Sequence, residues 1–244
     1  MKRKQYAWSL PAEIESRLGD NSYGRQRAIE GAGHLLLVLH APPGPQTRER
    51  EAVVFLRRPD GQHLCNGFEG GEQKLRKLLA DYRARWEELD EQYDNAASAD
   101  ELFQLLERLT PLNRASTNLA AALQSARDLV RDDRFLIGMR DEAYDVSRAF
   151  ELLLGDARLK LDYRTAKDAE SHALKAAEIA TAQHKLNILA AVTFPVMALA
   201  TLLGMNVLHG LENRPLAIFW VVLLLGAGLG FGVKSWVTRN PAGR

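Results

Sequence analysis

Cysteine is almost missing. Cys65 is the single one in 244 residues, which excludes an intrachain disulfide and a cysteine-based zinc site. Proline is missing between Pro111 and Pro195, and glycine occurs in that interval only as Gly138 and Gly155. So long a stretch without breakers has little to end a helix. Charge is missing between Lys185 and Glu212, and residues 186–233 hold only Glu212 and Arg214. Net charge is nearly missing too, at +1, so no bulk attraction draws the chain to nucleic acid or to acidic partners. No nucleophile–base pair, phosphate loop or carboxylate dyad stands out, and no enzyme is expected. Met1, Lys2, Arg3 and Lys4 lead into polar sequence without an apolar core, so no signal peptide is expected.

What is present is concentrated at the far end. The charge-free run 186–206 holds the roughly 20 apolar residues needed to cross a bilayer's hydrocarbon core. A second apolar run, 215–233, begins within ten residues. Two spans with so short a link predict a transmembrane hairpin. Lys167, Lys175 and Lys185 precede it and Lys234, Arg239 and Arg244 follow it, whereas the link carries only Arg214. The positive-inside rule then places both termini in the cytoplasm, in a multi-pass protein of the cell's inner membrane. Trp220 and Trp236 suit its two interfaces.

Along the chain, residues 1–33 read as irregular, with a short helix over 11–18 opened by Pro11. His34–His40 is a compact apolar run and reads as a buried strand. Residues 52–58 read as a second strand, Pro59, Asp60 and Gly61 as a turn, and 62–67 as the return strand. A sheet of at least three strands is therefore expected. From Glu72 the apolar residues Leu75, Leu78, Leu79, Tyr82, Trp86, Leu89 and Tyr93 recur at helical spacing to about residue 97. Ser98 and Glu101 have the spacing of a capping box. They open a short helix through Leu109, and Pro111 starts another to about Arg134. From about Met139 one helix runs through Lys185 and on into the first span, about 100 Å in all at 1.5 Å per residue.

That helix carries Leu152, Leu153, Leu159 and Leu161, then Ala166, Ala169, Ala173, Ala176, Ala177 and Ala180. The small side chains admit close neighbours. Several copies of the chain, or the chain's own helices, are equally able to cover them. The expected division is a cytoplasmic α/β and helical domain over 1–134, a stalk helix over 135–185, the hairpin over 186–233 and a basic tail over 234–244. The class is a mainly α membrane protein with a small α/β cytoplasmic domain. Gly226, Gly228, Gly230 and Gly232 lie in the second run. They do not form a nucleotide loop, because Phe231 stands where the third glycine is needed and no strand precedes it. Gly226/Gly230 and Gly228/Gly232 read instead as overlapping small-xxx-small pairs for helix packing.

Gly204-Met205-Asn206 closes the first span, with Pro195 nine residues before the glycine and a long charged helix behind. In these features the chain resembles the CorA family of divalent-cation channels and transporters, most tightly over 140–233. The segment 109–114 is a further echo. The resemblance implies a homopentamer whose five first spans line a pore and whose second spans surround them. Gly204, Met205 and Asn206 would form the mouth, with five Asn206 amides holding a cation through its water shell. Mg²⁺, as transported and regulatory ion, fits a site that leaves its waters in place. No cofactor is implied. Counting back from Gly204 at helical spacing gives the pore face: Thr201, Met197, Phe194 or Thr193, Ala190, Leu186 and Gln183. Its apolar constriction suits gating by dewetting, and the same face also suits an ordinary helix–helix seam.

Family members sense internal Mg²⁺ with acids on the upper stalk. Here Asp141 matches by local motif and Asp145 by distance from the tripeptide, so both are kept. Glu212 is the acid available in the outer loop. Leu203 stands where the family usually has tyrosine, and the loop's acid is offset by Arg214. These departures leave open a non-conducting, membrane-anchored scaffold. Transport of Zn²⁺, Co²⁺ or Ni²⁺ on the same fold is also open, although His34 with His40, and His172 with His184, lack ligand spacing. The expected partners are membrane lipid, further copies of the chain and divalent cations.

Overall fold

The computed structural model describes residues 3–44, 51–204 and 215–239. The chain divides into two compact units, Met1–Ala166 and Lys167–Arg244. The elements in order are α1 (Ala12–Glu15), β1 (Arg27–Gly31), β2 (His34–His40), β3 (Ala52–Arg57), β4 (His63–Cys65), α2 (Gly71–Asn95), α3 (Ala99–Leu129), α4 (Arg134–Gly204) and α5 (Pro215–Arg239). The protein is mainly helical, with one small antiparallel sheet and one long helix that turns apolar at its end.

The sheet is a meander in the order β1-β2-β3-β4. Leu37 sits across from Ala28 on β1 and Phe55 on β3, and Leu56 sits across from Leu64 on β4. Both faces are covered, which is why β2 is a continuous apolar run. Leu35, Leu37 and Leu39 face the helices, and Leu36 and Val38 pack with Ile14, Tyr23 and Ile29 on the other side. β1 corrects the reading of 1–33 as irregular. Its link to β2 is a two-residue turn with Ala32 at φ 48° and Gly33 at φ 71°, the backbone that favours hairpins. The Ala32 amide donates to Glu13 Oε2 at 2.9 Å, tying the turn to α1. The Pro59-Asp60-Gly61 turn forms as expected: Gly61 has φ 86°, and Asp60 Oδ1 accepts from the Gln62 amide at 2.9 Å.

The helices bury their apolar stripes against the sheet and each other. Tyr82 of α2 is fully buried, and its hydroxyl donates to the His40 carbonyl at 3.0 Å. The capping box at α3 is complete. Ser98 Oγ accepts from the Glu101 amide, and Glu101 accepts in return from the Ser98 amide. Ser98→Ala is expected to lower the thermal midpoint by a few degrees, as loss of an N-cap does. A midpoint equal to that of the parent would show the box to be idle.

α3 corrects a second reading. Pro111 does not divide it; one helix runs from Ala99 to Leu129 with Pro111 inside. Proline supplies no N–H to the Glu107 carbonyl. The buried stripe Leu102, Leu105, Leu109, Leu112, Ser116, Leu119 and Leu123 nevertheless continues straight past it. Burial of that stripe outweighs the local cost of the ring.

α4 starts at Arg134, earlier than expected. Asp133 Oδ1 accepts from the amides of Phe135 and Leu136 at 3.0 and 3.2 Å, an N-cap. Its buried face is Leu136, Met139, Ala143, Val146, Phe150, Leu153, Leu154 and Ala157. Beyond that, Leu159 and Tyr163 are exposed. Two cations fasten this end of the unit. Lys160 Nζ donates to the Tyr93 carbonyl at 2.7 Å, and Arg164 donates to the Ala97 carbonyl. Both meet carbonyls around the C-terminus of α2, where positive charge is favoured. In the second unit, residues 167–187 of α4 are exposed on all sides. Within the first unit the last buried residue of α4 is Ala157, and Leu174 and Ile179 of the second unit are exposed.

Candidate functional site

The site begins with the end of α4. Among the described residues this is the one helix long and apolar enough to cross a bilayer; α5 holds a shorter apolar segment, Phe219–Gly232. α5 packs on α4 through glycines. A Cβ on Gly230 would lie 2.8 Å from the Val192 carbonyl oxygen, and one on Gly226 would lie 3.1 Å from Val196 Cγ2. Only glycine admits backbone that close. Gly228 and Gly232 meet nothing within 4 Å. Of the two overlapping pairs, one is therefore used inside the chain and the other faces outward.

This contact orients α4. Val192 and Val196 are half-buried against α5. At 3.6 residues per turn, Gln183, Leu186, Ala190, Phe194, Met197 and Thr201 fall about half a turn away from Val192. Gln183, Leu186, Phe194, Met197 and Thr201 are exposed, and Ala190 is half-buried. The six residues thus share one side of α4, opposite the glycine contact. The face is apolar apart from its ends. The Thr201 hydroxyl donates to the Met197 carbonyl at 2.7 Å, so its proton is committed to its own helix while its oxygen can still accept. Thr193 does the same with Leu189 at 2.9 Å. Pro195 lies inside the helix and gives no N–H to the Ala191 carbonyl.

Gly204 is the last residue of α4. Met205, Asn206 and Glu212 lie outside the described residues. The stalk acids are placed in the first unit. Asp141 and Asp145 are both exposed, one turn apart on the same side of α4. Asp141 Oδ1 meets Arg140 Nε at 3.0 Å. Asp145 borders a groove with Arg83, Trp86, Glu87, Val146 and Ala149. Among the described residues no three His, Cys, Asp or Glu side chains converge to hold a metal ion. His34 Nδ1 lies 3.0 Å from the Ala32 carbonyl, and His40 Nε2 lies 3.0 Å from that of Gly24. His172 and His184 are exposed on α4.

A polar cluster that the sequence reading passed over lies at the start of α4. Arg57 Nε on β3 meets Asp133 Oδ2 at 2.6 Å, and His63 Nε2 stands 3.9 Å from the same oxygen. Burial pushes the Asp133 carboxyl up, yet the Arg57 hydrogen bond, the Leu136 amide and the charges of Arg57 and His63 together hold it below its ordinary value. The signal was a bare Asp-Asp-Arg-Phe ahead of an apolar run, which marks an N-cap and says nothing of a partner seventy-six positions earlier.

No family model matches the chain, and no curated protein matches it. Among solved structures, the chain is similar to the CorA magnesium transporter from Methanocaldococcus jannaschii. Identity is 15% and the TM-score 0.42, over 89% of this chain and 80% of that one. It is also similar to the full-length CmaX protein, at 18% identity and a TM-score of 0.45, over 88% of this chain and 77% of that one.

Proposed function

We propose that the chain is a subunit of a homo-oligomeric membrane pore for a divalent cation, Mg²⁺ first. The observation that carries this reading is the placement of Leu186, Ala190, Phe194, Met197 and Thr201. They form one side of the apolar end of α4, opposite the glycine contact with α5. Copies of α4 brought together on that side form an inner ring, and α5 then lies outside it. The exposed, alanine-rich stretch 167–187 gives the same copies a surface for close contact. The resemblance to the CorA family suggests five subunits, a mouth at Gly204-Met205-Asn206, and both termini in the cytoplasm.

In this reading α5 is the second span and Lys185 and Lys234 flank the hairpin on the cytoplasmic side. Asn206 amides hold the hydrated ion, and Glu212 adds negative charge outside. The apolar ring of Leu186, Phe194 and Met197 gates by dewetting. A membrane potential supplies about 2.3 kcal/mol per charge per 100 mV, so about twice that for a divalent ion. Asp141 and Asp145 take internal Mg²⁺ between neighbouring subunits, where one or two carboxylates per ion suffice because the rest of the shell is water. The function is transport, with no catalytic step and no cofactor.

Flux into liposomes tests the reading. The purified chain is expected to pass Mg²⁺, and Asn206→Ala is expected to cut the flux about tenfold or more, because the ion loses its outer site. Unchanged flux in the variant overturns the role of the tripeptide. Absence of flux in the parent overturns conduction and favours the scaffold reading, which Leu203 beside the tripeptide already supports. Competition with Zn²⁺, Co²⁺ and Ni²⁺ in the same assay identifies the preferred ion, and the mass of the detergent-solubilised complex gives the subunit count.

A further inference from the structure

His63 has no part in that pore. It is the first residue of β4, and its side chain is 8% exposed. Neither ring nitrogen has a hydrogen-bond partner among the described residues. Charged groups face it from every packed element. Glu72, in the first turn of α2, brings Oε1 to 3.4 Å from Nδ1, out of line for a hydrogen bond. Asp133, the cap of α4, brings Oδ2 to 3.9 Å from Nε2. Arg57 on β3 already holds that oxygen at 2.6 Å. Phe135, in the first turn of α4, meets the imidazole edge-on with centroids 5.1 Å apart, and the Arg76 guanidinium of α2 lies 5.2 Å over the Phe135 ring.

The ring has little room. A Cβ on Gly71 would lie 2.6 Å from the His63 carbonyl carbon, so the start of α2 presses on the His63 backbone. The ring borders a cavity about the size of a single water, walled mostly by Leu35, Leu37, Phe55, Leu75 and Phe135. A neutral imidazole fits such a place at the cost of its unmade hydrogen bonds. An imidazolium fits worse, because burying charge without aligned partners costs more than burying a dipole.

We propose that His63 is a proton-operated release for the junction at which the starts of α2 and α4 pack on β4. With the ring neutral, Asp133 serves Arg57 and the α4 cap together, and the junction stays closed. With the ring protonated, a second cation stands beside Arg57 in an apolar cavity, and the junction opens to hydrate it. Burial drives the His63 pKa below the ordinary histidine value; the charges of Asp133 and Glu72 oppose this and fall short, while Arg57 adds to it. A histidine depressed in the folded state gives its full contribution to stability above the unfolded value, about 6.5. That contribution is lost as pH falls from there toward the folded value. The switch therefore works in mild acid.

Hydrogen exchange on the full-length protein in detergent tests this, at about pH 7.5 and about pH 5.5 with intrinsic rates corrected. Segments 63–76 and 131–139 are expected to open more often at the lower pH, by up to about tenfold per unit of pKa difference. In His63→Gln, which cannot titrate, that rise is expected to vanish. An equal rise in the variant overturns the proposal. Titration of the parent's His63 ring by NMR is the second measurement and needs no variant. A midpoint below that of a free histidine supports the switch, and a midpoint at or above it means that the carboxylates win and overturns it. Neither result depends on whether the chain conducts ions.

Discussion

Gly230→Val is expected to separate α5 from α4, while Gly228→Val leaves the pair intact. The two glycines are two residues apart and lie on opposite sides of α5. At Gly230 an added Cβ arrives 2.8 Å from the Val192 carbonyl oxygen and 3.1 Å from its Cα. Both are backbone atoms of α4, which cannot step aside as a side-chain tip can. At Gly228 it meets nothing within 4 Å. Overpacking of this kind costs about 1–3 kcal/mol and sometimes more. The α4–α5 contact is a close glycine-to-backbone approach, so the loss falls on that contact directly. Gly226→Val should behave like Gly230→Val with a smaller penalty, since its nearest contact is the Val196 Cγ2 methyl at 3.1 Å. Unfolding of each variant in a detergent titration measures the difference. Equal losses at Gly228 and Gly230 would mean that α5 presents another side to α4.

The same geometry explains why the helical half of the fold was legible. Small-xxx-small spacing, the proline-free interval and the apolar run each state a backbone requirement in one local stretch. So does the capping box at Ser98 and Glu101, which formed as its spacing required. β1 was not legible, because it holds two charged residues in five and ends in glycine. What makes it a strand is the partner, His34–His40, whose edge it covers. Pro111 misled for a related reason. A proline is a local signal for a helix start, and the stripe from Leu102 to Leu123 that carries α3 past it is a longer-range one.

For the candidate site, the line from Gln183 to Thr201 followed from counting alone, since a helix repeats its faces. Which side of α4 the second helix takes did not follow, because Val192 and Val196 look like any other apolar residues until Gly226 and Gly230 are set against them. The junction around Asp133 was hidden more deeply. Arg57, His63, Glu72 and Asp133 come from four separate segments, and no spacing rule links a strand residue to a cap in the chain's second half.

Asp133→Ala is expected to cost the first unit about 2–4 kcal/mol, below the sum of a lost cap and a broken fully buried pair because Arg57 keeps some contact with water. The carboxylate does two things. One oxygen caps the Phe135 and Leu136 amides, and the other holds Arg57 Nε. Asp133→Asn separates them. The amide oxygen can still cap, so the asparagine variant is expected to lose only the charge, about 1–2 kcal/mol. Its pH dependence carries a sign. Asp133 is held below its ordinary value, so its contribution is complete above the unfolded value, about 3.9, and is lost as pH falls through the folded one. The gap between parent and Asp133→Asn should therefore be constant at neutral pH and close only in strong acid. A second effect lies in mild acid. The Asp133 charge raises the His63 pKa against burial, so removing it should move the His63 titration further down. The wider difference from the unfolded value means that mild acid costs the asparagine variant more than the parent and opens its junction further, so the gap grows there before it closes in strong acid. Chemical denaturation of both proteins across the acid range measures the two windows. If the gap between them failed to close in strong acid, the carboxylate would not be the charged partner that Arg57 requires.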